Sequence, residues 1–162
     1  LYFPYLNGSG TPHTDFDQRA MFLGISSDTS VYQMIKGIYE GIGFESRWIL
    51  DSLAQLGFAS DKIVAVGGGT KNESLLKTKA DVIGKPITLT SLDEAAGIGA
   101  ALQAAKACRK ADPSLEGRDE PIQQTWRQVL PKKSLQGHYE KRYRTYRNVY
   151  FALLPLKREI IK

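Results

Sequence analysis

The sequence predicts an α/β domain, and three observations carry that expectation. Residues 62–108 alternate strand, helix, strand, helix, the order that builds parallel strands with covering helices. A triple glycine, Gly67-Gly68-Gly69, separates the first of those apolar runs from the amphipathic run behind it. The chain has 162 residues, 42% hydrophobic and 24% charged, an ordinary globular composition at a length that buries roughly 70% of the unfolded surface.

Residues 1–18 carry Pro4, Gly8, Gly10 and Pro12 and read as loop. The stretch RAMFLGIS, 19–26, reads as a strand. Asp28 or Thr29 is the expected cap of a long helix over about 29–56. Its apolar stripe is expected to be Val31, Ile35, Ile38, Ile42, Ile49, Leu53 and Leu56. Gly37 and Gly41 lie four apart on that helix and share a face. Each costs about 1 kcal/mol against alanine, so another element is expected to approach them closely. Gly57 stops the helix.

The run KIVAVG is then a short buried strand, and 72–83 a helix with Leu76, Ala80 and Ile83 inward. Gly84 ends it before Pro86, and ITLT, 87–90, forms the second strand. SLDE, 91–94, has the spacing of a capping box with Ser91 at the cap and Glu94 three residues on. The helix behind it carries Ala96, Ala100 and Ala104 beside Gly97, Ala101 and Ala105, a face suited to close helix packing. Residues 111–121 read as linker or surface loop, and the end of the chain as helix broken or kinked at Pro155.

The net charge is +5, much of it between Lys132 and Lys162. HYEKRYRTYRNVYF interleaves Tyr with Arg and Lys, which can serve a single-stranded nucleic acid. However, Tyr139, Tyr143, Tyr146, Tyr150 and Leu153 recur at helical spacing. The favoured reading therefore packs the tyrosines inward and turns the cations to water. No apolar run reaches the length of a membrane span. The single cysteine, Cys108, cannot form an intramolecular disulfide, suits a reducing compartment and reads as a plain small side chain. His13 and His138 have no Cys or carboxylate at ligand spacing, so no metal is expected there. Asp15 and Asp17 are expected as solvated loop charges rather than acid–base groups.

The glycines remain the one candidate for chemistry. A strand running through glycines into a helix N-terminus resembles an anion cradle. The pattern lacks the Lys-Ser/Thr of a P-loop, and its sixth position from Gly67 is Asn72, not the glycine of the dinucleotide fingerprint. On these residues alone, a tight turn and a close ligand stand equal.

Larger motifs carry a resemblance. The stretch VGGGTKNESLLKTKADVIGKPITLTSLDEAAGIGAALQAA resembles the C-terminal domain of the FGGY carbohydrate kinases. YFPYLNGSGTPHTDFDQRAMFLGIS, YEGIGFE in the long helix and the Tyr-spaced terminal helix fit that family in the same order. The similarity spans the chain except about 109–130, and LNG..TPH is more similar to the xylulokinase and gluconokinase branches than to glycerol kinases. The resemblance implies an actin-like ATPase (ribonuclease H-like) domain with a C-terminal helix, residues 1–162 being the second of two kinase domains. It implies ATP with Mg²⁺ in the cleft between domains, and a hydroxyl of a sugar, sugar acid or polyol attacking the γ-phosphate. The family's adenosine-supporting glycine motif matches Gly67, Gly68, Gly69 and Thr70, and its asparagine near adenine matches Asn72.

The family's catalytic aspartate and most of its sugar pocket belong to the first domain, and a Gly–Thr phosphate motif lies ahead of FxPYLxG. No residue of this chain matches them, so no catalytic or metal-binding residue is assigned, and the isolated chain is expected to be inactive. The chain begins on Leu1 rather than Met and reads as cut from something longer. The resemblance implies a cytoplasmic phosphotransferase, with ATP and a sugar or polyol as partners and a homo-oligomer left open. One rival reading is a non-catalytic nucleotide-binding regulator of the same fold. A weaker one is a single-stranded nucleic-acid binder using the basic terminal helix.

Overall fold

The computed structural model describes residues 1–91, 94–111 and 125–160. Strand β1 (Tyr2–Phe3) pairs antiparallel with β2 (Met21–Phe22), matching Tyr2 to Phe22 and Phe3 to Met21. Sequence reading places β1 in a loop, because two residues are too few to show alternation. Helix α1 (Val31–Gln55) follows. Its cap is Ser30 rather than Asp28 or Thr29: Ser30 Oγ accepts from Gln33 N–H, while the Gln33 side chain accepts from Ser30 N–H. This reciprocal box satisfies two amides that have no partner inside a helix. Asp28 instead accepts from the Ser26 hydroxyl.

The buried face of α1 also differs from the expected stripe. Glu40, Gly41, Gly43, Phe44 and Trp48 are buried, whereas Val31 is 69% and Leu56 72% exposed. Ile35 and Leu53 are exposed too, and Ile38, Ile42 and Ile49 are only partly covered. The reason is close approach. A Cβ on Gly41 would collide with the Tyr2 carbonyl, so β1 lies directly on the helix. Gly37, in contrast, has nothing near it. The close approach expected at the paired glycines thus holds at Gly41 and not at Gly37, while the expected aliphatic stripe gives way to Phe44 and Trp48.

Strand β3 (Ile63–Ala65) leads into a 3₁₀ turn (Gly68–Lys71) and helix α2 (Glu73–Ile83), which Gly84 ends in the left-handed region. Strand β4 (Ile87–Thr90) runs parallel to β3, pairing Ile63 with Ile87 and Ala65 with Leu89. Helix α3 (Ala95–Ala111) follows. Ser91 does not cap it: the Ser91 hydroxyl accepts from Thr125 N–H, and Ile98 N–H is bonded to the Glu94 carbonyl. Ala96, Gly97, Ala100, Ala101, Ala104 and Ala105 are exposed, so among the described residues the small-residue face covers nothing. The linker expected at 111–121 lies almost wholly outside the described residues.

Strand β5 (Trp126–Val129) is antiparallel to β4 and completes a sheet of order β3–β4–β5. Helix α4 (Gln136–Ile160) contains Pro155 without ending there. Two cores result. Leu76 and Ala80 of α2 pack on Ile87, Leu89 and Val129 of the sheet. Phe3, Tyr5, Phe44 and Trp48 meet Tyr139, Tyr143, Tyr146 and Tyr150 of α4. The tyrosine stripe thus faces inward as its spacing predicts, with Leu153 partly buried.

Acids of α1 meet the tyrosine hydroxyls at the ends of these rings. Tyr146 and Tyr5 both donate to Glu45 at 2.6 Å, Tyr143 donates to Asp51 at 2.8 Å, and Tyr150 accepts from the Gln18 side chain at 2.6 Å. The cations are not all free in water either. Arg142 pairs with buried Glu40 at 2.6 Å, and Arg147 lies 5.1 Å over the Trp48 ring. With Tyr139, Tyr143, Tyr146 and Tyr150 buried, the tyrosine stripe offers no platform for stacking bases.

Candidate functional site

The triple glycine sits at the C-terminal end of β3, and its three members do different things. Gly67 has φ 87° and ψ −177°, a region that is essentially glycine-only. Gly68 and Gly69 have no such requirement, and a Cβ on either would meet nothing within 4 Å. Among the described residues, neither the backbone nor the packing therefore explains why those two positions are bare. Thr70 closes the turn: its N–H donates to the Gly67 carbonyl at 3.0 Å and its hydroxyl to the same oxygen at 2.7 Å.

Asn72 caps α2, its Oδ1 accepting from Leu75 N–H at 3.0 Å. Its Nδ2 donates to the Tyr39 hydroxyl of α1 at 2.9 Å. Of the amide's four hydrogen-bonding positions, one donor and one acceptor therefore remain for a ligand. An Asn72→Ala change would strip a helix cap as well as a ligand contact. Such caps are worth about 1 kcal/mol.

Charge at this helix end is already balanced. Glu73, in the first turn of α2, pairs with Arg127 at 3.2 Å and with Lys77 at 3.4 Å. Hydrogen bonds from Arg127 and then Lys77 hold its carboxyl below the ordinary glutamate range. A carboxylate there occupies the electropositive helix end that would otherwise attract phosphate. The turn thus suits a neutral hydrogen-bonding group better than an anion. Beside it, a hollow of about 320 Å³ is lined by Thr70, Lys71, Thr90, Ser91, Thr125 and Arg127. It lies at the carboxyl ends of the parallel strands, where α/β sheets bind ligands. A second hollow of similar size, lined by Phe22, Gln33, Glu40, His138 and Arg142 among others, stands on α1, and the Glu40–Arg142 pair fills its charge.

The structure thus brings Gly67, Gly68, Gly69, Thr70 and Asn72 together in one turn. Sequence reasoning missed the contact of Asn72 with Tyr39, 33 residues away on α1, and the Thr90, Ser91, Thr125 and Arg127 wall; residues that meet only through helix packing or across strand ends carry no local mark of it. The weaker candidates lie elsewhere. Asp15 Oδ1 accepts from Asp17 N–H in a loop turn. His13 packs among Trp48, Tyr150 and Phe151. Cys108 is exposed on α3.

Residues 1–108 match the family model for the C-terminal domain of the FGGY family of carbohydrate kinases. The chain belongs to the FGGY family. A xylulose kinase of Lactococcus lactis is 26% identical over 166 residues, covering 100% of this chain and 32% of that enzyme. A glycerol kinase of Acaryochloris marina is 33% identical over 106 residues, covering 64% of this chain and 21% of that enzyme. The crystal structure of a xylulose kinase from Brucella ovis superposes with a TM-score of 0.80 at 31% identity, over 96% of this chain and 32% of that one. This FGGY chain therefore spans about a third or less of the length of these relatives. Both xylulose and glycerol kinases are among its kin. No described helix is long and apolar enough to cross a membrane.

Proposed function

We propose that residues 1–162 form the C-terminal, actin-like domain of an ATP-dependent sugar kinase and hold the adenosine end of ATP. The observation that carries this reading is the bareness of Gly68 and Gly69: open space over ordinary backbone, at the carboxyl edge of parallel strands. A planar base or a ribose can lie against such backbone where a Cβ would stand in its way. Asn72 offers the base edge one donor and one acceptor, and the Glu73 carboxylate disfavours phosphate at the same place.

ATP fits these residues as a nucleoside, not as a reacting phosphate. Phosphoryl transfer needs a positioned acceptor, a metal and a base together. Among the described residues no group of three or more His, Cys, Asp or Glu side chains is placed to hold a metal ion. On the resemblance to the family, whose catalytic aspartate and sugar pocket match no residue here, the Mg²⁺, the base and the sugar or polyol hydroxyl belong to other parts of a cytoplasmic enzyme. The role of this chain is to bind and orient the nucleoside.

Titration of the labelled chain with ADP, followed by nuclear magnetic resonance, tests the reading. Shifts are expected to cluster on residues 67–72. Adenosine and ATP should bind with affinities similar to ADP, because the phosphates find little here. No shift at millimolar ADP would overturn the reading.

A further inference from the structure

We propose that Tyr39 is a positioning residue of this site, one that fixes which way the Asn72 carboxamide faces and so makes the site select adenine over guanine. The inference rests on the nucleotide reading above. It starts from an ambiguity in every asparagine: the amide can turn over, exchanging its donor and acceptor ends. At Asn72 two neighbours remove that freedom. The α2 cap requires Oδ1 toward Leu75 N–H, at 3.0 Å, and the Tyr39 hydroxyl receives Nδ2 at 2.9 Å. Asn72 is exposed, so solvent would otherwise compete for both ends.

Tyr39 is well placed to hold it. It belongs to the middle of α1, one residue before buried Glu40 and two before Gly41, where β1 lies on the helix. Its ring is partly buried. Tyr39 thus refers the Asn72 amide to a rigid element rather than to the glycine turn.

The two bonds leave one N–H of Nδ2 and one lone pair of Oδ1 for a ligand. Adenine matches that pair with its amino donor and an adjacent ring-nitrogen acceptor, the pairing that asparagine makes with adenine elsewhere. Guanine offers a carbonyl acceptor where adenine has its amino group. Against a fixed Asn72 this sets oxygen against oxygen, and turning the amide to relieve it would break the α2 cap and the Tyr39 bond together.

The test is Tyr39→Phe, which keeps the ring and removes only the hydroxyl. ADP and GDP are titrated separately into the wild-type chain and the variant, and melting curves are recorded for both. Wild type is expected to prefer ADP. In Tyr39→Phe, ADP should bind about fivefold more weakly, the size of one neutral hydrogen bond, with GDP unchanged, so the ratio of the two falls. The Asn72 side-chain amide resonances of the free variant should move as well. A merely structural tyrosine would weaken both nucleotides equally, or neither. An unchanged ADP-to-GDP ratio with wild-type binding intact overturns the role of Tyr39 alone. Absence of binding of either nucleotide to wild type overturns the nucleotide reading and the selectivity with it.

Discussion

Gly67 and Gly68 are neighbours, yet substitution should separate them completely. Gly67→Ala forces a Cβ into φ 87°, ψ −177°. Backbone held in that region by a non-glycine residue costs about 1–3 kcal/mol. A chain of this size loses about 2–4 °C per kcal/mol, so the melting midpoint should fall by roughly 2–12 °C. Gly68→Val meets no steric opposition: the position has no left-handed φ, and its Cβ has nothing within 4 Å. Reduced freedom of the unfolded chain offsets the modest cost of a β-branched residue in the 3₁₀ turn, and the midpoint should stay within about 2 °C. Ligand binding should order the pair the other way. Gly68→Val puts its side chain where the nucleoside is proposed to lie, and ADP-dependent shifts should vanish. Calorimetry gives the first quantity and resonance titration the second, on the same samples. The reasoning fails if Gly68→Val destabilises as much as Gly67→Ala, or if it binds ADP as wild type does.

Tyr146→Ala should remove about 3–5 kcal/mol by opening the core. Arg144→Ala, at a surface pair with Glu140, should change stability by about 0.5 kcal/mol or less. Arg147→Ala should fall between them, because its stacking over Trp48 is worth about 0.5–1 kcal/mol; chemical denaturation ranks the three, and a larger loss from Arg144 than from Tyr146 would reverse the assigned facing of α4. Alkaline pH should unfold the chain. Burial first, then neighbouring Glu40 and Asp81, raises the Tyr139 phenol to about 12, and burial likewise raises Tyr5, Tyr143, Tyr146 and Tyr150. Unfolded tyrosines ionise near ~10, so above that pH the unfolded state binds fewer protons and stability falls. Melting midpoints should decline above about pH 10 as tyrosinate absorbance appears; a midpoint that rises there would contradict the burial. The chain alone should form no ADP in the presence of ATP, Mg²⁺ and xylulose, gluconate or glycerol, and sugar-dependent turnover by a clean preparation would show that it carries a base and an acceptor site after all.

What could be read from the sequence was what is local. The caps at Gly57 and Gly84, the helices around 31–55 and 73–83, and the tyrosine stripe each follow from spacing within a few residues. The glycine turn was visible as three letters, though not the division of labour inside it, because only coordinates separate a left-handed φ at Gly67 from open space at Gly68. The face of α1 was misjudged for a related reason. The paired glycines did signal a close approach, and at Gly41 the Tyr2 carbonyl makes it; that Phe44 and Trp48, rather than the aliphatic residues, share that face depends on partners far away in the chain. Ser91 resembles a cap in sequence, but its hydroxyl accepts from Thr125 N–H, just ahead of β5. Tyr39 opens the YEGIGFE motif, but only the packing of α1 beside α2 reveals its bond to Asn72.

Strand β3 is hydrogen-bonded to β4 on one side, and within the described sheet its other margin is free. Val64 is 44% and Val66 51% exposed beside that margin. A short, uncharged, β-branched segment with unused backbone donors and acceptors is a template for its own kind. During expression of this chain by itself, intermolecular strand pairing would compete with refolding, and concentration rather than temperature would set how much survives. Ile63, Val64 and Val66 of KIVAV would then be a hazard, with Asp61 and Lys62 ahead of them as gatekeepers.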